Sequence, residues 1–329
     1  MMIRALKPPF ALKYRLQLLT ALLAGLLFFQ FAVAQGVRSD APEPSVRIAQ
    51  DLKLIQEGEQ LGLPAAKMGY LWAILAAAYQ DSADSGDAGK ALEAYERALG
   101  LLGKDPAARS NYATTLDNLG SLYLESKRVE EAATVRQKAL TIRKGLGDPM
   151  GIAISEGHMA EVELSQHRFK DAEKDSLAAY ATLSATTGHP DADAEFSALV
   201  TLTYAQCMQP KCGEGMRNAE KMLALVEKAY PPESVERAHV SMALGFAQWK
   251  TGATEEAERS MQEGLRIMRA QLGEHSPILM AAMFQYRDYL KAMHRKPEVK
   301  ALDRKLADMK PPEPDASCMG CTVSVHALR

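Results

Sequence analysis

Four cysteines stand in two close pairs, Cys207/Cys212 and Cys318/Cys321. In a chain that leaves the reducing cytoplasm, such spacing points first to oxidation rather than to metal. Cys207 falls late in a helical stretch and Cys212 in the bend after it, which suits a local disulfide; a partly buried free thiol at Cys207 is the competing reading. Cys318-Met319-Gly320-Cys321 has the spacing of a disulfide, of a redox pair, or of half a zinc site completed by the first pair. A thioredoxin-like pair needs a βαβ setting, and no such pattern surrounds it. The zinc reading requires the tail to fold back over the chain.

The other candidates for chemistry dissolve on inspection. His158, Glu161 and His167 miss both orders of the two-histidine zinc helix, because Val162 stands where a ligand would be needed. His189 and His275 lie beside prolines, where a turn or cap role is expected. Asp84-Ser85-Gly86-Asp87-Ala88-Gly89-Lys90-Ala91 ends in Gly-Lys like a phosphate loop. Its first glycine is replaced by Asp84, its magnesium hydroxyl by Ala91, and no strand precedes it. Asp81, Asp84 and Asp87 are spaced by three rather than two, so they do not form a calcium loop. Asp191, Asp193 and Glu195 suit the start of a helix. No nucleophile elbow or dinucleotide loop is present. The residues therefore imply no catalytic group, no metal and no cofactor, and the chain reads as a non-enzyme.

Composition narrows the partner. Lys and Arg number 39 against 41 Asp and Glu, a net charge of −2, which favours neither nucleic acid nor an anionic membrane surface. Residues 1–34 carry Arg4, Lys7, Lys13 and Arg15 and no acid, then the apolar run from Leu16 to Phe31, then Ala32-Val33-Ala34. This is the pattern of an export signal cleaved after Ala34. An uncleaved membrane anchor is the alternative, since Leu16 to Ala34 is nearly long enough to span a bilayer. Without the four N-terminal cations the balance of 35 bases against 41 acids is −6. The expected location is periplasmic or secreted.

The elements that would position any site come from a repeat. In LDNLGSLYLESKRVEEAATVRQKA, Leu116, Leu119 and Tyr123 share one helical face beside Gly120; Ala132 and Ala139 mark a second helix beyond Ser126-Lys127-Arg128. The position of Gly120 recurs as Ala76, Gly120, Ala160, Thr203, Gly245 and Arg287, at spacings of 44, 40, 43, 42 and 42. A second column runs Ala91, Ala132, Ala172, Gly215, Ala257 and Val299, and a third Ala98, Ala139, Ala179, Met222, Gly264 and Leu306. Small residues at fixed places let two helices approach closely, and such a pair buries its apolar face only by stacking on the next. The last unit departs most, as a terminal repeat must when one face meets water. Residues 1–34 are thus expected to be a signal peptide, 35–45 a linker, 46–309 the repeat domain, and 310–329 a Pro-rich linker with a Cys-containing tail.

These residues resemble the tetratricopeptide repeat family. Its pattern is fullest in the first unit, as Trp72, Leu75-Ala76, Tyr79, Ala91, Tyr95 and Ala98, and recurs as Leu119-Gly120, Tyr123, Ala132 and Ala139, and as Leu244-Gly245, Ala257 and Met261. The unit of about 42 residues looks like the kinesin light chain type, with the extra residues in connectors such as Leu146-Gly147-Asp148-Pro149. The resemblance implies an all-α, right-handed superhelical solenoid of about six antiparallel helix pairs, with the first helix of each pair lining a concave groove. It places Asn118, His158, Tyr204, Met208, His239, Phe246 and Lys250 near that groove. Family members that grip a peptide carboxylate carry Lys and Asn in the first unit, where this chain has Ala73 and Ala77. The expectation is therefore a protein or peptide segment held in apolar pockets around Tyr204, Met208 and Phe246, with Asn118 bonding its backbone. The competing readings are self-association and a redox or zinc protein acting through Cys318 and Cys321.

Overall fold

The computed structural model describes residues 44–82, 87–186, 192–274 and 276–309. The expected export segment 1–34, nearly all of the expected 35–45 linker, Asp84 to Gly86, His189, Asp191, His275 and the tail with Cys318 and Cys321 lie outside the described residues.

Among the described residues the chain forms thirteen α-helices and no strand. They are α1 (Pro44–Leu61), α2 (Ala65–Gln80), α3 (Asp87–Leu102), α4 (Arg109–Glu125), α5 (Val129–Leu146), α6 (Pro149–Ser165), α7 (Phe169–Ala185), α8 (Ala192–Cys207), α9 (Cys212–Ala229), α10 (Val235–Thr251), α11 (Thr254–Leu272), α12 (Pro277–Ala292) and α13 (Lys296–Asp308). Six antiparallel pairs run from α2/α3 to α12/α13, with α1 packed in front of α2. Within each pair the two helices pack on each other, and each second helix packs on the first helix of the next pair. The first helices also touch one another, α2 on α4, α4 on α6, α6 on α8 and α8 on α10, and so form a layer of their own.

The recurring small residues lie where helices cross. Ala76, Ala91, Ala98, Ala132, Ala139, Ala160, Ala172, Ala179 and Ala257 have no exposed surface. Where a column holds glycine, a larger side chain fills the space: a β-carbon on Gly245 would lie 2.6 Å from Met261 Cγ, and one on Gly264 2.9 Å from Met242 Cγ. Packing is thus complementary pair by pair, and its density leaves no room for an added methyl. In the sixth unit Arg287 is partly exposed over the Phe284 ring, and Val299 is half-buried.

Connectors between pairs stop one helix and start the next. Gly147 ends α5 at φ 64°, and Asp148 then caps α6 by accepting the Gly151 N–H at 3.0 Å, with Pro149 as the first helical residue. Ser276-Pro277 does the same for α12, and Ser234 caps α10. A proline at that position gives up no hydrogen bond, because the first N–H groups of a helix have no internal acceptor. The turn inside a pair has its own rule. Its residue seven places after the small column has positive φ in four units: Lys127 at 59°, His167 at 59°, Gly252 at 92° and His294 at 56°.

A candidate binding face built by the first helices

The layer of first helices carries the residues expected to contact a partner, and in the second to fourth units it is held by buried charge. Asp117 on α4 lies 3.1 Å from Arg143 on α5 and 3.6 Å from His158 Nδ1 on α6, and accepts a hydrogen bond from the Ser155 hydroxyl at 3.1 Å. Arg136 on α5 reaches across to α6, pairing with Glu161 at 2.9 Å and donating to the His158 carbonyl and to the Ser121 hydroxyl. Glu161 in turn accepts from Ser197 on α8 at 2.7 Å, and Arg143 donates to the Gly151 carbonyl and to Thr114. Burial works against the Asp117 charge, but His158, Arg143 and Arg136 outweigh it and hold its carboxyl below the usual carboxylate range. Two carboxylates thus face two guanidiniums across the second and third pairs, with His158 against Asp117 and Ser197 of the fourth pair on Glu161.

This network uses the polar groups that sequence register had pointed at a groove. His158 is part of this network, and Asn118, next to Asp117 in the chain, is buried. Further along, Tyr204 is buried and its hydroxyl meets the Gln285 side chain of α12, at 3.3 Å to Oε1 and 3.1 Å to Nε2. Burial raises the Tyr204 phenol to about 12, against a smaller lowering by Gln285. Phe246 is 0% exposed, packed between Tyr204 at 4.9 Å and Trp249 at 5.8 Å between ring centroids. The space expected to be a pocket around Phe246 thus holds the rings of Tyr204 and Trp249, and Phe246 itself packs in the core. The reason is the closeness of successive first helices, which turns large side chains inward into the space between them.

His239 on α10 is also buried, and neither ring nitrogen has a hydrogen-bond partner among the described residues. Burial pushes its imidazole down to about 4. Solvent reaches Tyr70, Thr114, Glu125, Ile154, Ser165, Met208 and Lys250 among others on this face. Lys250 is exposed, with its ammonium 4.5 Å from the Trp249 ring centre. Cys207 and Cys212 are disulfide-bonded across the end of α8 and the start of α9.

Reasoning from the sequence missed Asp117, Arg136 and Arg143. A signal was present: Arg136 and Arg143 each follow a column alanine, Ala132 and Ala139, by four residues, which puts them on the buried stripe of α5. Among the described residues no group of three or more His, Cys, Asp or Glu could hold a metal ion, and no helix is long and apolar enough to cross a membrane.

Comparison with known proteins agrees with this architecture. The Tetratricopeptide repeat family matches residues 115–150, the stretch that contains Asp117, Gly120, Arg136 and Arg143. No curated protein matches the chain. Among solved structures, BtubC (BKLC) from P. vanneervenii is 20% identical with a TM-score of 0.53, over 71% of this chain and 94% of that one. Aspartyl phosphate phosphatase F from Bacillus subtilis is 12% identical with a TM-score of 0.63, over 85% and 70%. A Rap protein complexed with competence and sporulation factor is 12% identical with a TM-score of 0.55, over 77% and 78%. At such identities the structures speak for the fold alone. Residues 115–150 match the Tetratricopeptide repeat family, and the described helix pairs around them share the tetratricopeptide-like repeat fold.

Proposed function

We propose that the protein is a non-catalytic scaffold that holds a protein or peptide partner along its layer of first helices. The observation that carries this reading is the continuity of that layer. Because α6, α8 and α10 touch in succession, Ser165, Met208 and Lys250 occupy the same register on neighbouring helices and stay open to solvent. Such a line offers apolar, hydroxyl and cationic contacts to an extended or helical segment. The charges beneath it are matched within the chain, so they fix the layer's geometry instead of doing chemistry. The shared fold supports the reading, since one structural neighbour was crystallised in complex with competence and sporulation factor.

The working location proposed is outside the cytoplasm, by way of the N-terminal export segment. A Cys207–Cys212 disulfide fits an oxidising compartment.

The test is capture from the exported fraction with the full chain and with a Met208→Glu/Lys250→Glu variant, followed by mass spectrometry. A protein retained by the wild type and lost by the variant, at unchanged helical circular dichroism, supports the reading. Equal retention by both removes this face as the binding surface. Self-association in light scattering, with nothing else retained, replaces the partner by a second copy.

A further inference from the structure

The turn inside the fourth pair is closed differently from those of its neighbours. In units two, three, five and six, the residue seven places after the small column has positive φ. The N–H of the next residue then reaches back five residues to a carbonyl: Arg128 to Tyr123 at 2.7 Å, Arg168 to Glu163 at 2.8 Å, Ala253 to Gln248 at 2.9 Å and Arg295 to Leu290 at 3.0 Å. This is the usual way a helix end satisfies its last carbonyls before the chain reverses. In the fourth unit the corresponding residue is Pro210. The pyrrolidine ring holds φ near about −65°, so the left-handed conformation is closed to it. The backbone bond is missing accordingly: Lys211 N–H goes to the Gln209 carbonyl at 2.7 Å, and the Gln206 carbonyl takes the Gln209 N–H at 3.1 Å.

Cys207 and Cys212 flank this turn, and their disulfide joins the last residue of α8 to the first of α9. The local sequence is shaped to admit it. A β-carbon on Gly215 would stand 2.6 Å from Cys207 Sγ, so the absence of a side chain there makes room for the sulfur. Cys212 Sγ rests 3.6 Å from the Ala247 carbonyl of α10, which places the bond at the joint between the fourth and fifth pairs.

We infer that the Cys207–Cys212 disulfide closes the fourth turn in place of the left-handed residue and backbone bond used in units two, three, five and six, which makes this joint of the array conditional on redox state. A dithiol reductant opens it. The Sγ–Sγ bond breaks, two electrons and two protons pass to the sulfurs, Cys207 and Cys212 become thiols, and the reductant closes its own disulfide. The four residues from Met208 to Lys211 then lose their covalent closure and keep only short-range backbone bonds and the side-chain links of Gln209 and Lys211 to Phe169 and Glu173 of α7. Met208, on the proposed binding face, lies inside this segment, and Tyr204, one turn earlier, carries the link to Gln285. The effect on partner binding rests on the proposed function; the effect on the turn does not.

The experiment is amide hydrogen exchange of the full chain, read by mass spectrometry with and without dithiothreitol, on peptides covering residues 203–216 and, as references, the turns at 124–131 and 164–171. Exchange at the fourth turn should rise by about tenfold or more on reduction while the reference turns stay unchanged. A Cys207→Ser/Cys212→Ser variant should show the raised rate without reductant. Adding Pro210→Gly to that variant should bring the rate back down, since glycine can take the left-handed conformation the other units use. Exchange indifferent to reduction would overturn the inference. So would equal acceleration at all three turns, or a Cys-free turn that Pro210→Gly leaves just as fast.

Discussion

Gly120 and Arg136 are complementary in shape, because the side chain one lacks is the space the other occupies. A β-carbon on Gly120 would stand 2.6 Å from Arg136 Cγ and 2.8 Å from its Nε. The arginine cannot retreat, since its guanidinium is held by Glu161, Ser121 and the His158 carbonyl and its side chain has no exposed surface. The glycine of the repeat pattern is here the passage by which a cation on one pair reaches a carboxylate on the next.

Gly120→Ala should therefore destabilise the protein by about 1–3 kcal/mol through overpacking. Gly145→Ala is the control, because it sits in α5 with nothing within 4 Å of a new β-carbon. That change should stabilise by about 0.5–1 kcal/mol, the usual gain from removing a helical glycine. Thermal melts followed by circular dichroism compare the two, and shifts of the same sign would contradict the steric argument.

Arg136→Ala strands Glu161 in a nearly dry site and should cost about 3–5 kcal/mol, whereas Arg136→Met with Glu161→Leu removes both charges and should cost much less than the sum of the single changes. A double-mutant cycle in urea measures this. Additivity would mean the pair contributes nothing beyond its volume.

His239 should make the fold acid-sensitive. Its folded value near 4 lies below the ordinary 6.5 of the unfolded chain. Between those values the unfolded state binds more protons, so this contribution is complete above pH 6.5 and is lost as pH falls toward 4, by up to roughly 3 kcal/mol. His239→Gln should flatten the slope of urea stability between pH 7 and pH 5. An unchanged slope would assign the acid sensitivity elsewhere.

Glu163 should act in the opposite sense. Burial first, then Asp175 and Asp171, raise its carboxyl to about 7, against Arg168. The folded state then binds more protons between about pH 4.5 and pH 7, so stability from this group is present below that window and lost as pH rises through it. Glu163→Gln should stabilise the protein at pH 8 more than at pH 5, as read by the melting temperature. A larger gain at pH 5 would reverse the assignment.

The repeat architecture was legible because helix crossings admit only small residues, and Ala76, Ala132 and Ala139 recur at the spacing the crossings demand. The face was less so. Register says toward which side Tyr204 and Phe246 point, but not how closely α8, α10 and α12 approach, and that approach fills the expected pocket with the chain's own rings. Arg136 and Arg143 escaped notice because arginines on a helix are ordinarily solvated; only their phase with the column alanines marks them as buried. Pro210, one place in a repeated turn, was readable only once the turn's positive φ was known.

The Tyr204–Gln285 link joins residues 81 apart and passes over the fifth pair. A repeat array whose units touch only their neighbours melts by fraying, one unit at a time from either end. Here one apolar cluster runs from Leu164 to Met309, while the units before it are divided among smaller clusters. The fourth to sixth pairs consequently behave as a single cooperative block, and the sixth cannot fray without loosening the fourth.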